Sequence, residues 1–287
     1  MRDIKIRSQK LEIRITLRKW FLVLFIILSH YHFITPLCGQ DFSGELCEVK
    51  GVVEILKDGE TEWIPVVSKM PVQLKDRLRT VKNSSCNLEL DDGSIIFIDE
   101  NTEASVEIFE LTSEKHNSKI SLWFGKIIAN ISKLKNTKME IHSPTAIVAV
   151  RGTEFIVETD IQKTDVGVFD GEVDVKNTEG DEIFEVIVKS DEETLVQKGF
   201  KPRSPSRLLL MQKYKERNFL IRNRVVKLKE QLKRFPPEER SKARQLAYEK
   251  FKKLKKKRIE QIEKNRQKRK TVKRKAIKRE MHDSDHP

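Results

Sequence analysis

The sequence predicts a mainly β protein, either a sandwich, a roll or a short β-solenoid, followed by a basic α-helical C-terminal tail. Between Leu46 and Val196, short runs such as "KISLWF" and "EVDV" alternate apolar and polar residues, and turn residues recur about every ten positions. No stretch before residue 200 keeps a helical period over a useful length, whereas helix-forming residues predominate beyond it.

The charge is divided unevenly along the chain, whose net charge is +13. Residues 40–200 contain 18 basic and 32 acidic side chains, whereas residues 201–287 contain 32 basic and 10 acidic ones. Such asymmetry is typical of separate segments with separate partners, and it also allows the basic tail to fold back onto the acidic middle.

Residues 1–39 are predicted to be a signal peptide or an N-terminal membrane segment. Basic residues up to Lys19 precede the uncharged run "WFLVLFIIL", whose nine residues suit the core of a signal peptide and are too few to span a bilayer. Cleavage is expected near Gly39. The stretch "TPLC" resembles a lipoprotein box only loosely, because Leu37 directly precedes Cys38. We therefore expect an extracytoplasmic protein of the periplasm or cell envelope; the alternative is a buried apolar strand.

Two cysteines, Cys47 and Cys86, remain in the predicted mature chain. An even pair in an oxidising compartment permits one disulfide, and two free buried thiols are the alternative.

The strands follow one another in a regular series. An opening run, "ELCEVKGVVEIL", is followed by "CNLEL" and "SIIFI", which flank a hairpin turn marked by Asp92 and Gly93. Later strands are expected in "ASVEIF", "KISLWF", "KIIANI", "MEIHS", "AIVAV", "TEFIVE", "DVGVF", "EVDVK" and "EIFEVIV". Gly171 is expected in the turn between two of these strands.

The triplet Arg151, Gly152 and Thr153 interrupts what otherwise reads as buried strand in "SPTAIVAVRGTEFIVE". A glycine inside a strand pattern often marks a bulge or bend. We expect a corner where the sheet changes direction, with Arg151 turned inward onto a carboxylate and Thr153 bonded to the local backbone. On this interpretation Arg151→Ala lowers the thermal stability; the alternative is that Arg151 contacts a ligand or partner.

The same residues resemble the FecR domain. "SPTAIVAVRGTEF" followed by "VGVFDGEVDV" is similar to its signature, and the resemblance extends through "GVVEILKDGETEWIPV", "LKDRLRTVKNSSCNLELDDGSIIFIDENTEASV", "LWFGKIIANI" and "TLVQKGF". It implies a FecR-like β domain over residues 40–200. The chain departs from the family at Lys75, where a glycine often precedes the residue equivalent to Asp76.

The resemblance implies an extracytoplasmic module of signalling proteins. In the family's namesake, a periplasmic part receives a signal from an outer-membrane iron-citrate transporter, and a cytoplasmic N-terminal domain controls a sigma factor. Only 19 residues precede the apolar run here, too few for that cytoplasmic domain, so we do not expect the sigma-factor role.

Residues 201–287 are predicted to form a linker and a basic helical or coiled tail, partly disordered. Pro202 and Pro205 mark the linker, and Pro236–Pro237 separate two helices. A narrow apolar stripe precedes that break, at Leu210, Tyr214, Ile221, Val225, Leu228, Leu232 and Phe235. Residues 210–235 therefore offer either a homodimer seam or a face that packs against the β domain.

Three hypotheses are open for the basic tail. The first is a solvated helix without a specific partner, the second is binding to an anionic lipid or cell-wall polymer, and the third is binding to nucleic acid. Each Lys or Arg near an anionic membrane contributes roughly 1 kcal/mol. Nucleic acid is the least favoured partner because Tyr248 and Phe251 are the sole interleaved aromatics.

The sequence contains no convincing catalytic or metal constellation, and it predicts neither an enzyme nor a cofactor. The histidines are scattered, and acidic pairs such as Asp91–Asp92 and Asp99–Glu100 fit turns better than calcium loops. We expect a non-enzymatic, exported FecR-domain protein for envelope binding, scaffolding or signal reception, with an envelope protein as a partner of the β domain. The alternatives are a membrane-anchored regulator related to iron-citrate-type signalling and a nucleic-acid-binding protein.

Overall fold

The computed structural model describes residues 44–111, 116–133, 137–180, 182–236, 238–253 and 255–257, together with Glu260 and Lys264. The predicted targeting segment and the C-terminal end of the basic tail lie outside these residues. Within the described ranges, no helix combines the length and the apolar character needed to cross a bilayer.

The described residues form seventeen strands. They are β1 (Gly44–Lys50), β2 (Val53–Leu56), β3 (Ile64–Pro65), β4 (Met70–Val72), β5 (Arg77–Thr80), β6 (Ser85–Leu90), β7 (Ile95–Ile98), β8 (Glu103–Leu111), β9 (His116–Asn130), β10 (Thr137–His142), β11 (Ala146–Val150), β12 (Glu154–Thr159), β13 (Lys163–Asp170), β14 (Glu172–Asn177), β15 (Glu185–Lys189), β16 (Glu192–Gln197) and β17 (Ser206–Arg207).

These strands pair into two sheets. Sheet A has the order β4-β1-β6-β7-β9-β12-β13-β16-β17. Sheet B has the order β3-β2-β5-β8-β9-β10-β11-β14-β15. All neighbours are antiparallel except β9 and β10, which are parallel.

Strand β9 belongs to both sheets. Its first part pairs with β8 and β10 in sheet B, and its last part pairs with β7 and β12 in sheet A. The change occurs at Gly125, whose φ is +99°. A Cβ atom there would lie 2.4 Å from the Cα atom of Thr102, so the close approach of two backbones requires glycine.

One apolar core lies between the sheets and is contributed by both of them. Leu46, Ile55, Leu88, Ile141 and Phe155 are completely buried in it. Each such side chain stabilises the fold by about 1.5–3 kcal/mol. The fold is therefore mainly β, as predicted, and two sheets facing one core correspond to the sandwich among the three alternatives.

The C-terminal tail is helical, as predicted. A 3-10 turn (Met211–Tyr214) leads into helix α1 (Lys215–Arg234), and residues 238–253 and 255–257 are again helical, here called α2. Phe235 ends α1 in an extended conformation just before the two prolines.

Helix α1 lies on the outer face of sheet A. Its buried residues Ile221, Val225 and Leu228 form a second apolar cluster with residues of β7, β9 and β12, namely Ile95, Phe97, Ile128 and Ile156. The middle of the stripe therefore packs against the β domain, the second of the two alternatives, whereas its ends, Leu210 and Phe235, are exposed. A homodimer through these residues stays an untested prediction, and it would have to use side chains that remain exposed.

Of the two alternatives for Cys47 and Cys86, the structure has the two free buried thiols and not the disulfide. Cys47 is paired across the strands with Asn87, the neighbour of Cys86, and successive side chains of a strand point to opposite faces. Cys86 accordingly lies in the core between the sheets, whereas Cys47 lies beside Glu45 on the other face. The two sulfur atoms are thus separated by the sheet itself.

Candidate functional site

Arg151, Gly152 and Thr153 form the turn by which the chain passes from sheet B to sheet A. Strand β11 ends at Val150 in sheet B, and β12 begins at Glu154 in sheet A. Gly152 has a φ of +62°, and a Cβ atom there would lie 2.6 Å from Cγ of Lys133. Both the backbone angle and the lack of space restrict this position to glycine.

Thr153 connects this corner to a second one. Its Oγ1 atom lies 2.9 Å from the carbonyl oxygen of Glu172 and 3.3 Å from that of Arg151. Gly171, with a φ of +94°, is the turn by which the chain returns from β13 in sheet A to β14 in sheet B. A Cβ atom on Gly171 would lie 3.0 Å from Oγ1 of Thr153, so the two corners pack directly on each other.

Arg151 does not turn inward as expected. Its side chain is exposed, and no described residue forms an ion pair with it. The physical reason is the alternation of β11, which places Val150 in the core and directs the next side chain, that of Arg151, to the other face.

Glu154, the next residue after the corner, is the buried carboxylate at this place. Its Oε1 accepts a hydrogen bond from Nδ2 of Asn130 at 2.8 Å, and its Oε2 accepts one from Nδ2 of Asn218 at 2.7 Å. Arg222 donates from Nη2 to Oε2 at 2.6 Å and from Nε to Oε1 at 3.0 Å. The guanidinium that pins the corner therefore comes from helix α1.

The turn between β6 and β7 is a second contact point for the helices. Asp92 accepts hydrogen bonds from the backbone and hydroxyl of Ser94, at 2.8 and 2.9 Å. Gly93 has a φ of +85°, and a Cβ atom on it would lie 3.1 Å from Cε of Lys229 on α1. The tight Asp92–Gly93 turn thus leaves room for the helix to lie against it.

Asp91, at the same turn, is held by two arginines of α2. Arg244 donates from both Nη atoms to the two carboxylate oxygens, each at 2.7 Å, and Nε of Arg240 lies 3.2 Å from Oδ1. Bidentate pairs of this kind are among the stronger charge-assisted hydrogen bonds.

The predicted site residues come together at one end of the sandwich. Oγ of Ser94 accepts a hydrogen bond from the backbone of Ser132 at 3.0 Å, and the next residue, Lys133, is the one that packs on Gly152. The Asp92–Gly93 turn is therefore joined to the corner at Gly152, Thr153 and Gly171 through two consecutive residues.

A third contact lies near Cys47. Arg224 of α1 donates from Nε and Nη2 to the two oxygens of the buried Glu89 carboxylate, at 2.6 and 2.9 Å. The thiol of Cys47 and the carboxylates of Glu45 and Glu89 lie within 4.8 Å of one another. Burial raises the pKa of the Cys47 thiol far above its usual range, so the thiol stays protonated, and Arg224 already binds Glu89. These groups therefore form an ion-pair network and not a ready metal centre.

Helix α2 also covers a buried ion pair at the sandwich edge. Nζ of Lys57 donates to Oδ2 of Asp76 and to the carbonyl oxygen of Pro71, both at 2.7 Å. The ring of Tyr248 on α2 lies above this ammonium, with 5.1 Å between Nζ and the ring centroid. Burial lowers the pKa of Lys57 and raises that of Asp76, and the opposite charge of each partner counteracts part of this shift.

These contacts fasten the basic helices onto the acidic β domain, the fold-back that their opposite charges allow. The sequence predicted the turns and the helices. The sequence did not reveal the carboxylates that bind the helices. Glu89 and Glu154 look like ordinary strand residues, and the sole signal for them was a charged side chain within an apolar strand.

Comparison with known proteins agrees with the resemblance seen in the sequence. The family model described as FecR protein matches residues 76–174, a stretch that includes both corners and the carboxylates of Glu89, Asp91 and Glu154. The match is shorter than the 40–200 range expected from the sequence. None of the curated proteins matches the chain.

Two crystal structures from Parabacteroides distasonis ATCC 8503, at 2.50 and 1.65 Å resolution, are similar to the chain, and each is described as "a putative anti-sigma factor". Both are 16% identical to it, with TM-scores of 0.39 and 0.38. The similarity covers 48% of this chain and 62% of each of those chains. The chain therefore spans less than two thirds of their length.

Proposed function

From the FecR match, we propose that this protein is a non-enzymatic signalling regulator that acts outside the cytoplasm as a receiving and binding module of the cell envelope. The family match supports the regulatory role, and the charged and apolar pattern of residues 1–39 supports export.

The observation that carries the proposal is the docking of a basic helical segment onto carboxylates of the matched domain. Arg222, Arg224 and Arg244 each bind a carboxylate that lies within residues 76–174. An element that is held by ion pairs and packed over an apolar strip has a docked position from which a partner can displace it.

In this proposal an envelope partner contacts the β domain, and the docked helices are the part that responds. Displacement of α1 and α2 uncovers the apolar outer face of sheet A and frees the basic side chains of the tail for an anionic lipid or wall polymer. A partner shifts this equilibrium only as far as it binds the released state better than the docked one.

The first test is the intact mass of the protein from fractionated cells. A chain that begins near Gln40 in the soluble envelope fraction is the expected result, and a lipid mass on Cys38 supports export as a lipoprotein. A full-length chain in the membrane favours instead the anchored regulator. A full-length chain in the cytoplasm overturns the proposal and makes nucleic acid the leading partner of the tail.

A further inference from the structure

The outer face of sheet B presents an exposed tryptophan, although α1 and α2 pack elsewhere. The register between β8 and β9 shifts at Glu103 and Ala104, which pair with Phe124 and Leu122, so Trp123 is the extra residue of a bulge. Leu122 points into the core, and Trp123 and Phe124 remain 50% and 45% exposed. Exposed aromatic side chains placed by a bulge are a feature of binding surfaces.

Trp123 forms one wall of a shallow cleft of about 230 Å³. The other lining residues are Lys75, Arg77, Ser105 and Glu107. The cleft therefore combines one aromatic ring with two cations, a carboxylate and a hydroxyl, which is the mixture of one apolar surface and a few convergent polar groups that small-molecule sites use.

Lys75 lines the cleft in a strained backbone conformation. Its φ is +65°, in the left-handed region, where a residue other than glycine is strained by roughly 1–2 kcal/mol. Glycine would adopt this turn without strain. The ammonium of Lys75 has no hydrogen bond or ion pair with any described residue. Backbone strain retained at a cleft is a reason to look for function there.

Arg77 is held in position while part of it stays accessible. Its guanidinium forms an ion pair with Glu103 on one side and lies 5.7 Å from the centroid of the Trp63 ring, yet 44% of the side chain is exposed. A guanidinium has five N–H donors in a fixed fork, so donors remain for an anionic ligand.

We propose that this cleft binds a sugar unit that carries a carboxylate, as in an acidic polysaccharide. The apolar C–H face of a pyranose ring covers the exposed ring of Trp123. The carboxylate is bound by Lys75 and Arg77, and a sugar hydroxyl donates to Glu107, which already accepts a hydrogen bond from Oγ of Ser105. The volume lies below the ~300–1,000 Å³ of sites for drug-sized ligands, which fits a single ring, and the open rim lets a polymer continue in both directions.

This inference deepens the proposed function, because it names the chemistry that the β domain would receive in the envelope. Its test uses the purified full-length chain and is independent of cellular location. Failure of the cleft to bind and failure of export are therefore separate results.

The experiment is a calorimetric titration with trigalacturonate, and with maltotriose as an uncharged trisaccharide, in 150 mM NaCl, with tryptophan fluorescence as a second readout. Saturable binding of trigalacturonate is expected, with maltotriose at least about tenfold weaker, since charge-assisted hydrogen bonds are lost. No binding, or equal binding of the two sugars, overturns the assignment.

Two variants locate the binding, because the basic tail also attracts anions. Trp123→Ala and Lys75→Gly should each weaken trigalacturonate binding about tenfold or more, whereas Phe200→Ala, which removes an exposed ring that does not line the cleft, should not. Lys75→Gly also relieves the strained turn, so its melting temperature should not fall, and lost binding is then not a folding defect. Unchanged binding in Trp123→Ala overturns the proposal.

Discussion

Gly152 and Arg151 are neighbours, but substitution of only one of them should change the stability. Gly152→Ala places a Cβ atom 2.6 Å from Cγ of Lys133 at a φ of +62°, so we expect a loss of about 2 kcal/mol or more in the free energy of unfolding. Arg151→Ala removes an exposed side chain without an ion pair and should leave the stability nearly unchanged, contrary to the expectation from sequence. Thermal denaturation of both variants checks this, and equal melting temperatures would refute it.

The buried thiols predict an alkaline limit of stability. Burial raises the pKa of Cys86 to about 12, while an unfolded thiol titrates near 8.5. Between these values the unfolded chain loses the proton that the folded chain keeps, so stability falls as the pH rises above about 8.5. Denaturant titrations from pH 7 to 10 should show this fall, and Cys86→Ala should reduce its slope. A slope unchanged in Cys86→Ala would remove Cys86 as the cause.

Helix α1 supplies a matched pair of substitutions on adjacent residues. Val225 is buried against sheet A, whereas Val226, the next residue around the helix, is 57% exposed. Val225→Asp places a carboxylate in an apolar contact and should detach α1, which exposes its Lys and Arg residues to trypsin. Val226→Asp should leave the cleavage pattern of the wild type. Equal protection of both variants would show that the apolar contact does not hold the helix.

The elements differ in how well the sequence predicted them. The strands and the glycine turns could be predicted, because they depend on neighbouring residues along the chain. The apolar stripe of α1 could be predicted too, but the surface on which it packs could not. That surface is formed by three strands that only the sheet brings together, through Ile95, Phe97, Ile128 and Ile156. The corner at Gly152 was predicted, whereas the pair of Glu154 with Arg222 spans 68 positions and left no local pattern.

At the scale of the whole molecule, helices α1 and α2 should detach from the β domain at different salt concentrations. The screening length falls from about 10 Å at 0.1 M salt to about 3 Å at 1 M, which weakens the ion pairs at exposed sites most. In helix α2 the pair of Lys255 with Glu60 is partly exposed, whereas the pairs of Arg240 and Arg244 with Asp91 are mostly buried and are screened less. Tyr248 adds a buried ring to α2, and α1 has the longer apolar strip.

We therefore expect α2 to detach before α1 as sodium chloride is raised from 0.05 to 1 M. X-ray scattering should show a larger radius of gyration, and hydrogen exchange should accelerate in residues 238–253 before residues 215–234. Constant dimensions over this range would contradict the prediction that salt releases α2.

Because β9 runs through both sheets, neither sheet can form or unfold independently of the other. The half of β9 before Gly125 completes sheet B, and the half after it completes sheet A, so a ribosome that has released only the strands up to β8 has finished neither layer. Co-translational folding must wait until β9 and its later partners β10 and β12 have emerged. A pull that extracts this one strand opens both layers at once, and the domain should break in a single step.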